Sequence, residues 1–190
     1  MTSLMDKIIN RRSYRSLEKI EITPELIETL GKAVQLSPSC FNNQPWHFIF
    51  TYETETLNKL FESLSKGNVW ATHASMIIAT CAKKEDDCVI NDRNYYLFDL
   101  GLASSSLILQ ATHMGFVAHP IAGYSPKKVR EVLCIPDEYM VITLIIIGKH
   151  SDSLPEYLSE KQVKAEKERP ARKSLETFIH HNQFDDGGET

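Results

Sequence analysis

The sequence predicts a single domain in which helices and strands are mixed along the whole chain. Three observations predict it. Apolar residues recur at helical spacing through Leu26, Ile27, Leu30, Ala33 and Val34. Two continuous apolar runs, Ser75 to Cys81 and Val141 to Ile147, are short enough to be buried strands. The 190 residues, 42% of them hydrophobic, contain no repeat or low-complexity tract that would mark a boundary. A chain of this size buries roughly 70% of the surface its unfolded form exposes, enough for one core.

Ser3 followed by Asp6 resembles a helix start, and this short helix should end near Asn10, where the basic run begins. Thr23 can cap a second helix, with Pro24 at its first position and Ser37-Pro38 at its stop. Trp46 to Tyr52, rich in aromatic and β-branched residues, reads as a strand, and Thr54 as the cap of a helix over roughly 55–65. Gly67-Asn68 should turn the chain into the strand at Ser75. Asp92 to His113 reads as one long helix closed by Gly115, and Ser125-Pro126 as the start of a short one through Leu133. From Ser151 onward the chain is charged, with a weak apolar pattern at Leu175, Phe178 and Ile179, so this extension needs another surface to pack on.

Composition excludes several classes. A net charge of -4 argues against a general affinity for nucleic acid or anionic membrane, which requires Lys and Arg clustered over a large face. The longest apolar run, Tyr139 to Ile147, is less than half of the roughly 20 residues a membrane-spanning helix requires. Cys40, Cys81, Cys88 and Cys134 show no C-x-x-C spacing, and no basic-then-apolar stretch opens the chain; together these read as a reduced, cytoplasmic protein. There is no HExxH pair and no Cys/His quartet with ligand spacing, so no metal site is expected. Neither glycine-rich phosphate-loop pattern is present, so any cofactor must be held differently.

Four segments carry candidate chemistry. Arg11, Ser13 and Arg15 alternate, so in extended backbone they offer two guanidinium forks and a hydroxyl to a phosphate. The plainer reading is that cations after a helix favour its negative end. Pro38 to Pro45 lists small and amide-bearing residues that would let backbone approach a planar ligand, or else simply connect a helix to a strand. Gly115 to Tyr124 brackets His119-Pro120 with small residues and is either a ligand-facing backbone or a strand end and turn. Gly101 to Ser106 places small residues inside the long helix, allowing another backbone to pack closely.

Taken in order, RRSYR at Arg11 to Arg15, SPSCFNNQPWHF at Ser37 to Phe48, HPIAGY at His119 to Tyr124 and ERPARKSLETF at Glu168 to Phe178 resemble the nitroreductase family across nearly the whole chain. The resemblance implies an α+β fold, a central mainly antiparallel sheet flanked by helices. It also implies an intertwined homodimer in which residues 151–190 of the single 1–190 domain pack on the partner. FMN is implied at the subunit junction, with Arg11, Arg12, Ser13 and Arg15 near its phosphate and ribityl chain, and Arg172 or Lys173 completing the phosphate site. Pro38, Ser39, Cys40 and Asn42 would border the flavin of the other subunit, and Asn68 would reach its pyrimidine edge. Pro120, Ile121, Ala122 and Gly123 would lie along the ring, with a backbone N–H of Ala122 or Gly123 facing N5. Some relatives carry an acid where Ala122 stands, and many have proline where Ser174 stands.

The expected activity is a ping-pong transfer of electrons from NADH or NADPH, through FMN, to an electron-poor small molecule such as a nitro compound, quinone or flavin. No side chain is assigned a catalytic acid or base role. A non-catalytic FMN-binding storage or regulatory protein of the same fold, and a plain dimerisation module, are the alternatives.

Overall fold

The structure is a computed structural model that describes residues 3–184; the last positions of the expected extension, 185–190, lie outside it. Ser3 caps α1 (Leu4–Asn10) in a capping box with Asp6. The basic run leads into β1 (Leu17–Glu18), and α2 (Pro24–Gln35) starts at the expected Thr23 cap. Then come β2 (Trp46–Thr51) and α3 (Thr54–Phe61), which stops short of the expected range. Its cap is Glu53, not Thr54, and its end unwinds into i→i−3 bonds because Leu64 and Ser65 are drawn into pairing with Tyr124 and Gly123. A stretch of 3₁₀ turns, Lys66–His73, stands where a simple turn was expected and leads to β3 (Met76–Ala82).

A hairpin, β4 (Val89–Ile90) and β5 (Arg93–Asn94), occupies what the sequence presents as the start of the long helix. Asn91 and Asp92 both take positive φ, 48° and 64°, the backbone of a two-residue I′ turn. The helix itself, α4 (Tyr95–His113), ends in a Schellman motif: Gly115 N–H reaches Thr112 O, Phe116 N–H reaches Ala111 O, and Gly115 sits at φ +83°. Gly115→Ala is expected to cost about 1 kcal/mol in a urea melt, because the φ, not the space, is what alanine resists. Then come β6 (Val117–Ile121), α5 (Pro126–Leu133), β7 (Met140–His150) and α6 (Glu160–Lys167), the last a helix inside the charged extension, where the sequence marks none.

The central strand is β7. It pairs antiparallel with β3, β6 and, at its far end, β1, while β2 closes the other side of β3. Every ladder among the described residues is antiparallel, in keeping with the expected mainly antiparallel sheet. Alternation along β3 and β7 explains why both runs are almost continuously apolar, broken only by Ser75, Thr80 and Thr143. Ile77, Ala79, Leu144 and Ile146 face a core built with Leu57 and Leu60 of α3 and Val129 of α5. Met76, Ile78, Ile145 and Ile147 face the other core, with Leu26 and Leu30 of α2 and Ala103 and Leu107 of α4. The sheet is covered on both faces, so these strands lack the apolar/polar alternation of a strand with one wet face. Among the described residues no helix is long and apolar enough to cross a membrane.

Candidate functional site

The basic run is extended backbone between α1 and β1, and α6 delivers the tail to it. Arg11, Arg12, Ser13, Arg15, Arg169 and Arg172 line one cavity of about 230 Å³, together with Ala165 and Pro170. Within it Arg11 Nη1 donates to Ser13 Oγ at 3.2 Å, and Arg169 Nη2 to Arg11 O at 2.6 Å. Arg12 turns toward the tail, donating to Ala165 O at 2.6 Å with its guanidinium over Tyr14. Of the two expected alternatives from the tail, Arg172 lines the cavity; Lys173 is exposed and outside its lining.

The electrostatics are one-sided. Burial, then the charges of Arg169 and Arg172, lower the Arg11 pKa from its usual value. Burial lowers that of Arg15 as well, opposed by Glu166. Glu166 is a buried carboxylate, but its oxygens accept from the backbone N–H groups of Arg15 at 2.8 Å and Ser16 at 3.4 Å. It therefore fixes the backbone of the basic run more than it neutralises the guanidiniums. The cavity is short of negative charge, and its forked donors match the oxygens of a phosphate dianion.

A chain of contacts joins this cavity to the segment after β6. Tyr14 O accepts from His119 Nδ1 at 3.0 Å, so that ring nitrogen carries the proton. The His119 ring stacks on Trp70 with centroids 4.6 Å apart, and Arg15 lies 5.8 Å from the Trp70 centroid. Trp70 Nε1 donates to Asn68 Oδ1, and Asn68 Nδ2 to Gly123 O at 2.9 Å. A Cβ at Gly123 would stand 2.5 Å from both Asn68 Nδ2 and Ser65 Oγ, so a side chain there would push both aside. Pro120 and Ala122 are exposed, while Ile121 turns into the core. Asn68 thus borders the Pro120–Gly123 segment, with its amide engaged by the chain itself.

Pro38, Ser39, Cys40 and Asn42 do not line the basic cavity of their own chain. Their loop is tied instead to α4 and to the segment before β4: Cys40 N–H donates to Asp99 Oδ2 at 2.6 Å, and Asn43 Nδ2 to Asp87 Oδ1 at 3.1 Å. The expectation of four reduced cysteines is corrected here. Cys40 and Cys88 form a disulfide, their Cα atoms 6.5 Å apart, while Cys81 and Cys134 are free. The absence of C-x-x-C excludes only local pairing; folding brings together two loops 48 residues apart. Cys40, Cys88 and Asp87 also present potential metal-ligand atoms within 4.8 Å of one another, but sulfurs bonded to each other offer no thiolate to an ion.

Arg169, Glu166, Asp99 and Trp70 were missed by the sequence reading. Arg169 lay inside a quoted motif; the burial of the other three depends on contacts far along the chain.

Residues 8–149 match the nitroreductase family, and the chain belongs to it. A protein of Archaeoglobus fulgidus named as an NADH dehydrogenase/NAD(P)H nitroreductase is 31% identical over 158 residues, covering 80% of this chain and 88% of that protein. A solved structure described as an oxidoreductase containing FMN superposes with a TM-score of 0.82 at 26% identity, covering 94% of this chain and 91% of that one. An FMN-dependent nitroreductase of Clostridium difficile R20291 superposes with a TM-score of 0.72 at 25% identity, covering 95% and 99% respectively.

Proposed function

We propose that this protein is an FMN-dependent oxidoreductase that moves electrons from NADH or NADPH to an electron-poor small molecule. The observation that carries the reading is the cavity of converging guanidiniums without a free counter-carboxylate. Arg11, Ser13, Arg15, Arg169 and Arg172 would hold the phosphate, and Arg12, turned to the tail, would keep α6 in place behind it. Pro120, Ile121, Ala122 and Gly123, with Asn68 behind them, would form the wall along the ring. FMN, when bound, supplies two-electron redox chemistry, which allows donor and acceptor to use one site in turn, as in a ping-pong scheme. The chain's own share is position and charge: cations hold the anion, and a wall with no exposed acid at Ala122 leaves the entrance uncharged at that point.

The reading includes a homodimer, in which Pro38, Ser39, Cys40 and Asn42 of one subunit border the flavin of the other. Three exposed apolar groups support it: Leu4, Met5, Ile8 and Ile9 on α1, Leu97 and Phe98 on α4, and Leu175, Phe178 and Ile179 in the tail. The outer edge of β2 pairs with no strand among the described residues, leaving a ladder to which a partner's tail can add. A cytoplasmic setting belongs to the same reading.

The test is the visible spectrum of the purified protein, followed by NADH or NADPH without oxygen. A flavin spectrum that bleaches within the mixing time, and returns when a quinone or nitro compound is added, is expected. Bound flavin that stays oxidised would favour a carrier, and no flavin uptake even from added FMN would end the proposal.

A further inference from the structure

The Cys40–Cys88 bond sits where it can control a loop with little else to hold it. Phe41, Asn42, Asn43 and Gln44 are all exposed, Phe41 at 84%. Phe41, Asn42 and Gln44 take positive φ of 47°, 59° and 50°, the left-handed region that side chains avoid. Such backbone persists only where its surroundings over-determine it. Outside the loop's own short-range bonds (Asn42 N–H to Ser39 O, Asn43 N–H to Cys40 O, Gln44 Nε2 to Asn42 O and Gln44 N–H to Ser39 Oγ), it is tied to the rest of the chain by the disulfide, the Asp99 bond to Cys40 N–H and the Asn43 bond to Asp87. In the single subunit Cys40 and Cys88 are both only half-buried, whereas burial pushes the Cys81 thiol up to about 11 and leaves it inert. A disulfide in a reducing compartment is usually transient and redox-sensing, not structural.

We propose that Cys40 and Cys88 are a reversible thiol–disulfide site that orders the 38–45 loop and thereby strengthens the hold on flavin at the subunit junction. The second half rests on the flavin-site reading above. In the forming step one thiol, as thiolate, attacks a low-molecular-weight disulfide and releases one small thiol. The second Cys thiolate then displaces the other small thiol, closing the Sγ–Sγ bond. Two protein thiols are oxidised, one small disulfide is reduced to two thiols, and the two protons from the cysteines end on them. Two small thiols reverse the sequence. In the reduced state the loop keeps its hydrogen bonds but loses its one covalent tie, so left-handed residues relax and the flavin must order them on binding.

The test uses the full-length Cys134→Ser protein, equilibrated with glutathione or with glutathione disulfide. Maleimide counting under denaturing conditions should find one thiol, Cys81, in the oxidised form and three in the reduced form, reversibly. Hydrogen exchange over residues 38–45 should be at least about tenfold faster when reduced, and FMN should bind at least about fivefold more weakly. Cys88→Ser in the same background, equilibrated with glutathione alone so that Cys40 carries no mixed disulfide, should show two thiols with the exchange and FMN affinity of the reduced form. Three thiols in both buffers would overturn the site, and a bond that forms while exchange at 38–45 stays the same would overturn loop control. Equal FMN affinity in the two forms would overturn the coupling. If neither form takes up FMN, the flavin reading fails with its consequence, while thiol count and exchange still decide the redox site.

Discussion

Arg11→Glu is expected to weaken FMN binding by at least about a hundredfold, measured by quenching of flavin fluorescence, while leaving the apo protein as stable as before. The affinity loss follows from removing a charge-assisted donor, worth roughly 1.5–3 kcal/mol, and placing a carboxylate against the anion in its stead. Stability should be spared because Arg11 stands among like charges, Arg169 and Arg172, whose repulsion the reversal relieves. Its one side-chain hydrogen bond, to Ser13 Oγ, is long at 3.2 Å and only partly buried. Arg15→Glu is the less clean probe. It would set a carboxylate beside buried Glu166 and remove the guanidinium over Trp70, so it should lose stability as well as affinity. Unchanged FMN affinity in Arg11→Glu would take Arg11 out of the site.

How far this arrangement could be read from the chain depended on the range of the interactions. Thr23, Pro24 and Ser125-Pro126 act within one turn, so α2 and α5 begin where local chemistry places them. The apolar runs in β3 and β7 mark a sheet covered on both sides for the same reason, since period and burial are local properties. The β4–β5 hairpin was hidden because Asn91-Asp92, a turn pair, abuts a long helical pattern that absorbs it. Cys40 with Cys88, and Glu166 with the Arg15 backbone, are pairings across 48 and 151 residues, for which one sequence holds no signal. The basic motif could be identified by resemblance, and the division of labour within it could not. That Arg12 holds the tail, and that Arg169 joins the cavity, follows only from how α6 docks.

Burial between the basic run and Trp70 sets the protonation of His119. Its ring is buried at 6% exposure, and its pKa is pushed down from 6.5 to about 4, chiefly by burial and further by the charges of Arg15 and Arg11, against the opposing bond to Tyr14. The folded pKa lies below the unfolded one, so above pH 6.5 neither state is protonated there and the contribution is complete. As pH falls from 6.5 toward 4, the unfolded chain takes up a proton that the folded chain refuses, and stability drains by about 3 kcal/mol. His119→Asn keeps an N–H donor for Tyr14 O but cannot titrate. Urea melts at pH 7 and pH 4.5 should therefore show the parent losing more stability than the variant, by up to roughly 2–3 kcal/mol. Equal losses would mean that the histidine titrates as it would in water. Coupling to the cavity supplies a second check. Arg11→Glu removes one of the charges that keep the ring neutral, so it should raise the His119 pKa, narrowing the pH window over which the parent weakens.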